Sequence, residues 1–106
     1  MKVTVIGLGP GAGADLTGRA REALAACDLV VGYTAYVALI KDEFPDKEYR
    51  STGMRKEVDR CRAAVEAALE GHDVAMVCSG DSGVYGMAGL IYEVAQEYPP
   101  IDIEVV

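Results

Sequence analysis

Val74-Ala75-Met76-Val77-Cys78-Ser79-Gly80-Asp81-Ser82-Gly83-Val84-Tyr85-Gly86-Met87-Ala88-Gly89-Leu90-Ile91-Tyr92 sets the architecture of the chain. A short apolar run leads into a turn of small residues with one carboxylate, and a helical pattern follows. That is strand, loop and helix. In an open parallel sheet, ligands sit in the crevice at the carboxyl ends of such strands. Gly80 and Gly83 permit tight geometry and let a ligand come close to the backbone. Another loop of this kind, Gly7-Leu8-Gly9-Pro10-Gly11-Ala12-Gly13, lies near the amino terminus. The two loops are expected to share one pocket.

On either side of that stretch the pattern continues. Residues 3–6 read as a strand of β-branched and apolar residues. Asp15 or Thr17 caps a helix that runs to about Ala26, with Leu16, Ala20 and Leu24 on its inner stripe. Leu29-Val30-Val31 makes the next strand, ended by Gly32. Thr34 to Ile40 is a short helix, and Lys41 to Lys47 a charged loop holding Pro45. Tyr49 sits in a brief extended piece, and Ser51-Thr52-Gly53 offers a turn and a cap. A helix over about 54–70 carries Met54, Val58, Cys61, Val65, Ala68 and Leu69 as one stripe, with Arg55 and Asp59 paired on its solvent side. Gly71 ends it in left-handed geometry, and His72 is a surface residue at the helix terminus. Residues 73–78 form a strand apolar on both faces. Helix 84–97 follows, burying Val84, Ala88, Ile91, Tyr92 and Ala95, and Pro99-Pro100 stops it. Residues 102–106 read as a strand still in progress, which predicts a piece of a longer protein. The order implies one α/β domain, three layers around a mostly parallel sheet.

Composition narrows the function. The chain has 106 residues, 51% of them hydrophobic, enough for one folded domain. With 10 Lys and Arg against 17 Asp and Glu, its formal charge is -7, the wrong sign for a nucleic-acid surface. No apolar run approaches the roughly 18 residues of a membrane span. Cys27, Cys61 and Cys78 are widely spaced and match no disulfide framework or metal knuckle, which fits a reducing cytoplasm. One histidine leaves no partner for a relay, and no metal site is expected. Cys78 lies inside an apolar strand, so packing is its expected role.

Gly7-x-Gly9-x-x-Ala12 formally fits a dinucleotide fingerprint, but the acid expected roughly 20 residues beyond it is missing. Asp28 precedes the strand it would have to end. Pro10 also removes a backbone donor that a pyrophosphate would use. No Gly-Lys-Ser or Gly-Lys-Thr occurs, so there is no P-loop, and Ser79-Gly80-Asp81-Ser82-Gly83 is not a nucleophile elbow. Asp81 either satisfies its own loop and caps the next helix or shapes a ligand pocket, and the two roles are compatible. A site without acid–base apparatus suits a reaction that runs once its reactants are aligned, such as methyl transfer from a sulfonium donor to a nucleophilic carbon.

Four pieces carry a resemblance: Gly7-Leu8-Gly9-Pro10-Gly11, Val31-Gly32-Tyr33-Thr34-Ala35-Tyr36, Ser51-Thr52-Gly53-Met54-Arg55-Lys56-Glu57 and Ser79-Gly80-Asp81-Ser82-Gly83-Val84-Tyr85-Gly86-Met87-Ala88. Together they resemble the amino-terminal half of the tetrapyrrole (corrin/porphyrin) methyltransferases, most like the branch acting at C17 in cobalamin biosynthesis. The resemblance implies that residues 1–106 are the amino-terminal α/β domain of a two-domain enzyme whose carboxyl-terminal domain lies outside this chain. It implies an S-adenosylmethionine-dependent C-methyltransferase acting on precorrin-3B or cobalt-precorrin-3B with ring contraction. It further implies a cytoplasmic homodimer and an isolated 1–106 piece that is inactive. By position, Pro10, Ser79, Gly80, Asp81 and Val84 would contact the donor. Gly9, Pro10 and Gly11 would lie beneath the tetrapyrrole. Many relatives carry proline where this chain has Ser82, and the C17 branch often does not. No general base is implied. Arg55 and Lys56 are candidates for the substrate's carboxylates or plain surface residues, and Tyr33, Tyr36 and Tyr85 either line the trough or pack. The alternatives are another tetrapyrrole C-methyltransferase, or a non-catalytic nucleotide-binding α/β module.

Overall fold

A computed structural model describes residues 2–8, 17–79 and 82–106, the side chains of 82–85 excepted. Asp15, Leu16 and residues 9–13 of the glycine loop 7–13 therefore lie outside the described residues, while Gly7 and Leu8 of that loop belong to the first strand. Five strands and four helices follow one another as β1 (Lys2–Leu8), α1 (Gly18–Ala26), β2 (Leu29–Tyr33), α2 (Thr34–Lys41), β3 (Glu48–Thr52), α3 (Glu57–Leu69), β4 (Asp73–Ser79), α4 (Ser82–Ala95) and β5 (Asp102–Val105). The strands form one sheet in the order β3-β2-β4-β1-β5, and every pairing is parallel. The expected three-layer α/β architecture is the one observed.

Strand alternation divides the core into two faces. Val3 and Val5, Leu29 and Val31, and Val74, Met76 and Cys78 point to the face covered by α3 and α4. Ile6 and Leu8, Val30, and Ala75 and Val77 point to the face covered by α1 and α2. Val74 through Cys78 are all buried, as a strand covered on both sides requires.

The element ends follow local chemistry. Thr17 caps α1, its Oγ1 accepting the Ala20 N–H at 3.1 Å. Gly71, at φ 107, closes α3 with a paired motif. The His72 N–H donates to the Ala67 carbonyl and the Gly71 N–H to the Ala68 carbonyl, satisfying carbonyls the helix leaves open.

Three expectations from the sequence are corrected. The α3 helix begins at Glu57 rather than near residue 54, because Arg55 adopts φ 62, which no right-handed helix admits. Met54 and Val58 are consequently exposed, and the buried face is Arg60, Cys61, Ala64, Val65, Ala67 and Ala68. Asp59 lies 4.0 Å from Lys56 and forms no pair with Arg55. In α4 the buried residues include Met87, Ile91 and Val94, whereas Tyr92 is 51% exposed. The helix is turned relative to the expected stripe, and the Tyr92 hydroxyl donates to the Ile103 carbonyl at 3.4 Å. Finally, Ser51 and Thr52 belong to β3, paired with Gly32 and Tyr33, and are not a turn. Among the described residues no helix is long and apolar enough to cross a membrane.

Candidate functional site

The strand order locates the crevice. From β1 the chain moves through α1 to β2, past β4 on one side of the sheet. From β4 it moves through α4 to β5, past β1 in the opposite direction. Right-handed crossovers place connections of opposite direction on opposite faces, as the two core clusters show. Adjacent strands whose connections diverge leave an opening between them at their carboxyl ends, where α/β proteins bind ligands. β4 meets that condition on both sides, since its connection leaves on the face of α4 and those of its neighbours β1 and β2 on the face of α1 and α2. Leu8 and Ser79, the last residues of β1 and β4, are register partners. The two loops singled out in the sequence therefore leave the sheet side by side.

Of the residues expected to contact a donor or substrate, Ser79 is described. It is exposed at the end of β4, beside the buried Leu8. Gly9, Pro10, Gly11, Gly80 and Asp81 lie outside the described residues. Val84 falls in the first turns of α4, its side chain likewise outside the description.

Cys78, next to Ser79, is buried in β4. Burial pushes its thiol up to about 11, with the nearby Arg60 charge pulling weakly the other way. Its Sγ contacts the Ile6 carbonyl at 3.5 Å. Cys27 and Cys61 are also pushed up to about 11 by burial. The strand end thus holds no thiolate that could consume an electrophilic methyl donor.

Tyr33 ends β2 and meets Tyr36 edge to face, their rings 5.4 Å apart at 79°. Over Tyr33 sits the guanidinium of Arg60, 6.0 Å from the ring centre. Arg60 is 6% exposed, and its burial is absent from the expectations drawn from the sequence. Its Nε donates to Thr52 Oγ1 at 2.8 Å and its Nη2 to the Gly53 carbonyl at 3.3 Å. A signal was present, since Arg60 stands four and seven residues before Ala64 and Ala67 on the buried face of α3. A charged residue in phase with an apolar stripe points inward with it, and so marks a buried charge that needs partners. Arg55 and Lys56 are exposed in the β3–α3 turn.

His72 lies at the opposite end of the sheet. Its Nδ1 meets Asp28 Oδ2, while Asp28 Oδ1 accepts the Asp73 N–H at 2.7 Å. The pair joins the starts of β2 and β4 and is remote from the carboxyl-end crevice. A cleft of about 320 Å³, lined in part by Lys2, Thr4, Arg19, Glu22 and Asp73, opens beside α1 toward that same far end.

Comparison with known proteins accords with the topology. The profile of the tetrapyrrole (corrin/porphyrin) methylases matches residues 2–106. A probable cobalt-factor III C(17)-methyltransferase of Salmonella typhimurium is 48% identical over 103 residues, covering 97% of this chain and 42% of that protein. A cobalt-factor III methyltransferase of Priestia megaterium is 50% identical over 96 residues, covering 91% of this chain and 18% of that protein. Among solved structures, the methyltransferase CobJ superposes with a TM-score of 0.82 at 38% identity, over 97% of this chain and 44% of that one. The chain thus spans less than half the length of these relatives. On the match of the family profile to nearly its whole length, the chain belongs to the tetrapyrrole (corrin/porphyrin) methylase family.

Proposed function

We propose that the protein containing this domain is an S-adenosylmethionine-dependent C-methyltransferase that methylates C17 of precorrin-3B or cobalt-precorrin-3B, with ring contraction. One observation supports the site: Leu8 and Ser79 are register partners at the carboxyl ends of β1 and β4, so the segments that follow them begin side by side. The relatives named as C(17)-methyltransferases support the reaction.

The donor would supply an electrophilic methyl group. Pro10, Ser79, Gly80, Asp81 and Val84 would hold it, and Gly9, Pro10 and Gly11 would keep the first loop low beneath a flat macrocycle. The chain's part is alignment and exclusion of water, which is where the acceleration of a direct displacement comes from. Gly7, Leu8, Cys78 and Ser79 bring no charge to the strand ends, and burial keeps the Cys78 thiol protonated. No residue is assigned as a general base. Another domain, outside this chain, would form the other wall of the cleft, and the whole protein would act as a homodimer in the cytoplasm.

The test is calorimetric titration of S-adenosylhomocysteine into the full-length protein and into residues 1–106, with NAD as control. Binding to the full-length protein and not to the domain, with no response to NAD, is the expected result. Preference for NAD would replace the methyltransferase with a nucleotide-binding module. Product identification by mass spectrometry and NMR then distinguishes C17 from another ring carbon.

A further inference from the structure

At the start of α3, Arg55 in the preceding turn and Arg60 in the helix form no ion pair among the described residues. Arg60 is 6% exposed, yet its partners are neutral: the Thr52 hydroxyl, the Gly53 carbonyl and the face of Tyr33. It stands in the first turns of α3, where the helix dipole already places positive charge. Desolvating a charge without a carboxylate beside it is costly. Arg55 shares the turn, is exposed, and forms no ion pair or side-chain hydrogen bond among the described residues. Among the described residues it is also the non-glycine residue held at positive φ. Arg21, Arg50 and Arg62 each pair with a glutamate, while Arg19, exposed on α1 away from this turn, likewise forms no ion pair among the described residues. Glu57 and Asp59 occupy the same turn but form an ion pair with neither Arg55 nor Arg60.

The turn also faces the right way. Thr52 and Tyr33 are register partners at the carboxyl ends of β3 and β2, and β2 neighbours β4, which ends in Ser79. The chain's formal charge is -7, so a polyanionic ligand needs local positive charge to dock.

We propose that the β3–α3 turn is a carboxylate-binding subsite for the acidic macrocycle, in which Arg55 makes the contact and buried Arg60 fixes a positive charge behind it. This subsite rests on the methyltransferase function proposed above. Arg60 acts as a positioning residue: through Thr52 and Gly53 it holds the backbone that presents Arg55.

The test uses the full-length protein, with the tetrapyrrole as substrate and S-adenosylhomocysteine as the donor-site probe. Arg55→Gln is expected to raise KM for the tetrapyrrole about five-fold, the size of one exposed charge contact, with kcat and S-adenosylhomocysteine affinity unchanged. Added salt is expected to raise the wild-type KM more steeply than that of the variant. Arg60→Met is expected to raise KM further, and Arg60→Lys, which keeps the charge, by less. If Arg60→Met fails to fold, Arg55→Gln decides the matter, because an exposed turn residue does not carry the fold. An unchanged tetrapyrrole KM in Arg55→Gln overturns the subsite while leaving the methyltransferase standing. A loss of donor-probe affinity equal to the rise in KM overturns it too, since that marks a general structural effect. Absence of turnover by the wild-type protein would remove the function itself and the subsite with it.

Discussion

At Gly32 a β-carbon would lie 2.5 Å from Val77 Cγ2 and 3.3 Å from Val37 Cγ2. Neither branched side chain swings aside easily inside a packed face, so β2 and β4 sit together only because residue 32 has no side chain. Gly32→Ala is expected to destabilise the domain by about 1–3 kcal/mol through overpacking, read as a lower urea midpoint at unchanged slope. The His72–Asp28 pair is another residue-level device. The Asp28 hydrogen bond raises the His72 pKa above its ordinary 6.5, and the same bond lowers Asp28 below 3.8. The His72 contribution is complete below pH 6.5 and fades as pH rises through the raised value. The Asp28 contribution is complete above pH 3.8 and fades as pH falls through the lowered value. Thermal stability should therefore gain most from the pair between pH 3.8 and 6.5. His72→Gln should flatten that part of the profile, and a profile identical to wild type would show that the pair contributes nothing.

The helices show how tertiary packing selects one face among several that a sequence offers. In α4, Met87, Ile91 and Val94 fill the face toward β1 and α3, and Ile91 is fully buried. Ile91→Ala is expected to cost about 2–5 kcal/mol. Periodicity assigns Met54 to the α3 stripe, yet it is 68% exposed outside the helix. Met54→Ala should change stability by no more than about 0.5 kcal/mol. Denaturant titration of these two variants checks both assignments. A large loss from Met54→Ala would restore the longer helix. The α3 stripe is only half legible in the sequence because periodicity gives the phase of a helix but not its first residue. That start depends on the φ of Arg55, which no apolar pattern encodes.

For the whole molecule, the all-parallel sheet puts the paired ends of β1 and β4, Leu8 and Ser79, at one end. The His72–Asp28 pair and the cleft beside α1 lie toward the other. The His72–Asp28 pair and the candidate ligand site are thus separated along the strands. Residues 1–106 alone are expected to give no detectable methylation of precorrin-3B under conditions where the full-length protein turns over, because half the proposed cleft is missing. Turnover by the domain at a comparable rate would show that one wall suffices. Of the candidate site, the loops are legible as loops, from their glycines and from the apolar runs before them. That they begin side by side follows only from the pairing of Leu8 with Ser79 in the sheet.

Local chain chemistry settles the strand and helix pattern, the end of α3 at Gly71 and a family resemblance carried by four short motifs, and it narrows the α1 cap to Asp15 or Thr17. These depend on short-range backbone preference and on the spacing of apolar residues, both readable along the chain. Other features arise only once the chain has folded: β1 lies beside β4, Arg60 is buried, and His72 meets Asp28 across a separation of 44 residues. Such contacts are chosen by how strands compete for neighbours and how helices turn to fill the space above them. No window of sequence contains that competition, so the buried arginine has its place only because β2 and β3 stand beneath α3.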